Sequence, residues 1–146
     1  MNDGPEAILS FSVVDENDDF LVVDKPAPLI VHPSNGRIEP TLLGGIEQLL
    51  AFERANGQHP AIITRLDRET SGLVLVAKHT AAARELAMAL QHRHAHKEYL
   101  ALVHGWPEWS HTSNDRPIIR QGLIAPSPIW LKRCTHTSGR ASLTKF

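Results

Sequence analysis

Residues 11–25 read FSVVDENDDFLVVDK, two apolar runs on either side of a block of acids and amides. That pattern predicts a β-hairpin, with FSVV and FLVV as its arms and DENDD as a solvated turn. The next stretch, DKPAPLIVHPSNG, is interrupted by Pro26, Pro28 and Pro33. Proline supplies no amide to a helix or a central strand, so a loop is expected there. Over residues 41–57, Leu42, Ile46, Leu49 and Leu50 recur at helical spacing, and Asn56-Gly57 supplies a stop. Gly44-Gly45 weakens the first turn of that helix.

GLVLVAK, from residue 72, is a short continuous apolar run that predicts a central strand buried on both faces. A second helix is expected over TAAARELAMALQHR, with Thr80 as N-cap and Ala83, Leu86, Ala87 and Leu90 on one face. KEYLALVHG predicts the next strand, closed by Gly105. Between Trp106 and Pro128 the chain reads as loop, with PIIRQGLI as a short extended piece. IWLKRCT and RASLTKF then predict two strands joined by a turn at Ser138-Gly139. Antiparallel hairpins mixed with two helices point to an α+β fold.

The chain has 146 residues, in the size range of one domain with a sizeable core. Its 42% hydrophobic and 21% charged content exclude a disordered chain. No apolar run approaches the roughly 20 residues of a membrane span, and the acidic start MNDGPEAILS lacks a signal-peptide layout. The single Cys134 forbids an internal disulfide, so the expected compartment is reducing, by default the cytoplasm. A net charge of −1 does not advertise nucleic-acid binding. Charge is uneven, however: the first 20 residues hold no Lys or Arg, whereas QHRHAHK and LKRC are basic. A local basic groove fits that distribution.

Phosphate-loop, dinucleotide-binding, HExxH and CxxC motifs are all missing. His92, His94 and His96 would share one face of a strand and could approach a zinc ion. They fall where a helix is expected to end, and polar or cationic groups suit that end of its dipole. Without Cys or carboxylate partners nearby, no metal site is expected.

The chemistry concentrates in ITRLDRETSG, residues 63–72, where Asp67 stands between Arg65 and Arg68 at the entrance to an apolar strand. One reading is a polar turn, in which the aspartate bonds neighbouring amides. The other is a catalytic carboxylate kept ionised by the two arginines, on a loop presented by a rigid scaffold. On residues alone Arg65 is a surface ion-pairing group and Tyr99 a core strand residue.

TRLDRETSGLVLVAK resembles the active-site signature of the RluA-type pseudouridine synthases, which modify large-subunit ribosomal RNA and tRNA. VVDKPAPLIVHPSNG, HKEYLALVHGWP and SGRASLTKF are similar to three further segments of that family, in the same order. The resemblance spans residues 22–146. It implies a mainly antiparallel central sheet with flanking helices. It also implies an enzyme that isomerises uridine in place, breaking the N-glycosidic bond and rejoining C1′ to C5 of the base. Asp67 would be the catalytic aspartate, Arg65 the arginine of the motif, and Tyr99 the residue packing against the target base. No metal, nucleotide or redox cofactor is implied; the partner is structured RNA, rRNA or tRNA. The target base would be flipped out of its stack, with Arg65 suited to fill the vacated space.

Two departures bear on these expectations. The histidine usual before Arg-Leu-Asp is Thr64 here. The family also continues into a TGR.HQIR motif, and neither Gly36-Arg37 nor Gly139-Arg140 is followed by His-Gln. The expected organisation is therefore an N-terminal tail over residues 1–10 and a catalytic domain over 11–146, incomplete at its C-terminus. An exposed sheet edge would follow, and with it self-association. The alternative function is a catalytically silent remnant that at most binds RNA.

Overall fold

The structure, a computed structural model, describes residues 11–33, 40–129 and 132–146. The expected tail over 1–10, the end of the proline-rich loop and Trp130-Leu131 lie outside the described residues. The fold is α+β and forms two compact units, residues 1–98 and 99–146, each taken by itself below.

In the first unit, β1 (Ser12–Glu16) and β2 (Phe20–Lys25) form the expected antiparallel hairpin. Its turn is fastened by Asn17, whose Oδ1 accepts the amides of Asp19 and Phe20 at 2.9 and 2.8 Å. β3 (Ala61–Ile62) and β4 (Gly72–Ala77) complete a four-stranded antiparallel sheet in the order β1-β2-β4-β3. β4 is a central strand, but only one of its faces is sealed. Val74 and Val76 are fully buried whereas Leu73 is 61% exposed, so the apolar run is a half-covered strand and not one buried twice.

The helix expected over 41–57 is divided into α1 (Leu42–Leu49) and α2 (Ala51–Ala55), with the break at Leu50. Thr41 caps α1, its Oγ1 accepting the Gly44 amide at 3.0 Å. Gly57, at φ +81°, turns the chain after α2 in a conformation glycine tolerates without strain. Leu42, Ile46 and Leu50 are buried with Leu21, Val23, Val74 and Val76 of the sheet and Leu29 and Val31 of the proline-rich loop, while Leu49 faces outward.

α3 (Thr80–Gln91) is capped by His79 and not by Thr80. Its ring is fixed at both nitrogens: Nδ1 accepts the Ala82 amide at 3.2 Å, and Nε2 lies 3.0 Å from Asp19 Oδ1. The helix thus starts one residue earlier than expected; its buried residue is Ala82, and Ala87 is exposed. Among the described residues no helix is long and apolar enough to cross a membrane.

The second unit differs most from expectation. KEYLALVHG contains no strand; among the described residues it has no ladder partner, and Leu100 and Leu102 are fully exposed. A strand exists only where a neighbour takes its amides and carbonyls. Among the described residues IWLKRCT and RASLTKF do not pair with one another either. β7 (Arg133–Thr135) pairs with β6 (Ile118–Arg120), and β8 (Thr144–Lys145) pairs with β5 (Ser113–Asn114), both antiparallel. Segment 117–118 comes between the two runs: Ile118 bridges to Thr135 on one side and to Arg140 on the other. Gly139 permits this, since a Cβ there would stand 2.7 Å from the Ile118 nitrogen.

Candidate active site

The segment from Ile63 to Gly72 leaves β3 and returns into β4. Its start is pinned to Leu75, whose carbonyl accepts the Ile63 amide at 2.8 Å and whose amide donates to Thr64 Oγ1 at 2.8 Å. Leu66 packs against the core, so its neighbours Arg65 and Asp67 point outward and are exposed. Leu66 is therefore an anchor between two displayed charged groups. A turn follows, in which the Thr70 amide donates to the Asp67 carbonyl at 3.1 Å. Gly72 re-enters the sheet at φ +124°, a conformation that a side chain would strain.

Arg65, Leu66, Asp67 and Arg68 line a cleft of about 380 Å³ together with Ile30 to Pro33. Clefts of roughly 300–1,000 Å³ accommodate small ligands or a single recognised group. Among the described residues neither arginine pairs with Asp67; the Arg68 guanidinium lies 3.5 Å from Glu69. Asp67 thus presents a carboxylate to the cleft with no ion-pair partner among these residues.

Tyr99 belongs to the second unit, where its side chain is 65% exposed and the expected strand around it is absent. The three histidines form no triad with a carboxylate or Cys: His96 Nε2 lies 3.0 Å from Glu98, and His92 and His94 meet edge to face. Among the described residues no three His, Cys, Asp or Glu side chains gather around a point where a metal could sit.

Two residues of this region escaped the sequence reading. His32 lines the same cleft as Asp67. Lys25, the last residue of β2, is fully buried. Its Nζ donates to the carbonyls of Leu29, Pro26 and Arg68 at 2.8, 3.0 and 3.1 Å. Burial lowers its pKa from the ordinary 10.5, against the opposing pull of the Glu69 and Asp67 carboxylates. A signal was present: Leu21, Val23 and Lys25 alternate along β2, which places the lysine on the core face.

A four-stranded antiparallel sheet displaying an Arg-Leu-Asp loop over a cleft defines a class, and comparison with known proteins agrees. The model of the RNA pseudouridylate synthase family matches residues 19–142, and the chain belongs to that family. An uncharacterized RNA pseudouridine synthase of Aquifex aeolicus is 32% identical over 144 residues, 97% of this chain and 44% of that protein. Ribosomal large subunit pseudouridine synthase D of Xanthomonas campestris is 38% identical over 142 residues, 94% of this chain and 40% of that protein. Among solved structures, human RNA pseudouridylate synthase domain containing 1 superposes with a TM-score of 0.69 at 26% identity. The match covers 97% of this chain and 53% of that one. The chain thus spans less than half the length of these two curated relatives.

Proposed function

We propose that this chain carries the aspartate-bearing part of an RNA uridine isomerase, with Asp67 as its catalytic carboxylate. The observation that carries this reading is the loop geometry. Leu66 packs against the core, and the adjacent Asp67 lines an open cleft together with Arg65. The match to the RNA pseudouridylate synthase family over residues 19–142 supports this reading.

The reaction is an isomerisation, so atoms balance without a cofactor. The bond from N1 to C1′ breaks, uracil turns, C5 bonds to C1′, and the proton on C5 leaves while N1 gains one. An exposed carboxylate can attack the sugar or the base, or accept that proton. The base must leave its stack first, at a cost of roughly a few kcal/mol. Arg65 suits the space left behind, since a guanidinium stacks on bases and bonds phosphates. Tyr99 offers a flat face for the extruded base. Structured RNA is the substrate class; the Xanthomonas campestris relative carries a ribosomal large-subunit name, which favours rRNA over tRNA.

Tritium release from RNA labelled at C5 of uridine tests this directly. The expected result is release by the wild type and none above background by Asp67→Asn, which keeps the shape and removes the charge. Equal release by both proteins would remove Asp67 from the mechanism. RNA binding without release by either would favour the silent remnant.

A further inference from the structure

Lys25 is placed where a lysine is costly. A fully buried ammonium loses its hydration and must be repaid by partners, which is why buried lysines are scarce unless bonded. Its three partners are all backbone carbonyls, and they come from two separate segments. Pro26 and Leu29 belong to the loop leading to the cleft wall Ile30–Pro33; Arg68 directly follows Asp67. The Leu29 amide also donates to the Arg68 carbonyl, at 3.2 Å. The two segments that lead into the cleft lining are thus joined by one ammonium and one amide.

We propose that Lys25 is a positioning residue for Asp67: its ammonium ties loop 26–29 to the backbone at Arg68 and so sets where the carboxylate stands in the cleft. The proposal deepens the isomerase reading and rests on it for the consequence in catalysis, though not for the tie itself. An apolar side chain could fill the same space, so packing alone does not account for a lysine. What only the ammonium supplies is a set of three donors radiating from one point. Carbonyls of two loops can be gathered around it at once. Lys25 touches no reacting atom, so its effect passes through Asp67.

Lys25→Met separates the two roles, because methionine fills the space and donates nothing. With the tie removed, opening of the 65–68 segment becomes about ten- to a hundredfold more frequent, the scale of a hydrogen bond to a charged group. Arg65 and Arg68 are themselves trypsin sites, so limited proteolysis reads this without an assay of activity. The expected result is faster cleavage after Arg65 and Arg68, with cleavage after Arg54 and Arg84 unchanged. Tritium release from labelled RNA should show kcat falling about a hundredfold with KM within about threefold, as for a slightly displaced catalytic group.

A second variant guards against misfolding of the first. In a Cys134→Ser background, Lys25→Cys is treated under denaturing conditions with bromoethylamine, or with bromopropane as an uncharged control, and refolded. Restoring the ammonium should restore protection of both arginines and turnover; the propyl group should restore neither. Equal rescue by both groups, or uniformly faster cleavage at all four arginines, would show that Lys25 serves packing only and overturn the proposal. Unchanged cleavage after Arg65 and Arg68 would also overturn it, and so would a rise in KM alone. If the wild type releases no tritium, the isomerase reading fails, while proteolysis still decides whether the tie exists.

Discussion

The amide of Leu75 in β4 donates to the hydroxyl of Thr64 at 2.8 Å, tying the entrance of the Asp67 loop to the middle of the sheet. This threonine stands where related sequences were expected to have histidine. Its hydroxyl accepts from a strand amide that would otherwise be half-buried and unpaired, so the departure has a local structural use.

Thr64→Val keeps the branched shape and removes the acceptor. We expect a loss of about 1–2 kcal/mol in stability by urea unfolding, the range for an amide left unsatisfied. Thr64→Ser should retain most of it. A valine variant as stable as wild type would mean that water replaces the hydroxyl at no cost.

Arg65 is exposed at the cleft and has no ion-pair partner among the described residues. Arg65→Ala should lose more turnover on folded RNA than on a flexible single strand, where extruding the base costs little. Parallel tritium-release assays on the two substrates give the comparison. Equal losses would assign Arg65 to the carboxylate or to phosphate contacts.

Lys25 gives opposite pH signatures for stability and for activity. Its folded pKa lies below 10.5, so the native state gives up the proton before the unfolded chain does. The burial penalty is complete below the folded pKa and is relieved as pH rises towards and past 10.5. Stability of the wild type relative to Lys25→Met should therefore rise over that alkaline window, by at most about 1.4 kcal/mol per pH unit. Turnover should fall over the same window, since a neutral amine has two donors for three carbonyls. The facing charged groups are the carboxylates of Asp67 and Glu69; Arg68 presents its backbone carbonyl. Stability and turnover moving together with pH would contradict this assignment.

How much of this was legible beforehand depends on how local each feature is. The β1–β2 hairpin and the strand at GLVLVA follow from short apolar runs and turn residues, all within a few positions, whereas the Thr41 cap of α1 was not read from the sequence. The Asp67 loop was legible from its charges and its resemblance. The partners of β7 and β8 were not, because pairing is non-local: the matching residues lie about 15–30 positions upstream, in a stretch that reads as loop. Lys25 was overlooked because a lysine at the end of a strand ordinarily marks its exit into solvent. Only the alternation with Leu21 and Val23 showed otherwise.

Leu100 and Leu102 are fully exposed on a segment with no ladder partner among the described residues. Such a segment offers both apolar side chains and free backbone groups to another chain. We expect the 146-residue protein to self-associate with rising concentration, and Leu100→Lys with Leu102→Lys to suppress it. Static light scattering on the two proteins provides the measurement. A monomeric wild type at high concentration would show that this segment is protected in solution.

Gly139 carries the sharpest steric expectation in the molecule. A Cβ at this position would lie 2.7 Å from the nitrogen and 2.8 Å from the carbonyl carbon of Ile118, and 2.8 Å from the carbonyl carbon of Pro117. All three are backbone atoms, so no flexible side chain can swing aside. They also belong to the segment that bridges β7 on one side and Arg140 on the other, where Arg140 and Ile118 exchange amide bonds at 2.9 and 3.0 Å. Relief must come from moving 117–118 away, which breaks those bonds and the β6–β7 register together. Gly139→Ala should therefore destabilise the second unit by about 1–3 kcal/mol, the range for overpacking a site that cannot relax. Hydrogen exchange should localise the damage to the amides of Ile118, Arg140 and their strand neighbours, leaving the β2–β4 amides of the first unit protected. An alanine variant with wild-type protection at Ile118 would mean that segment 117–118 does not pass this close to the turn.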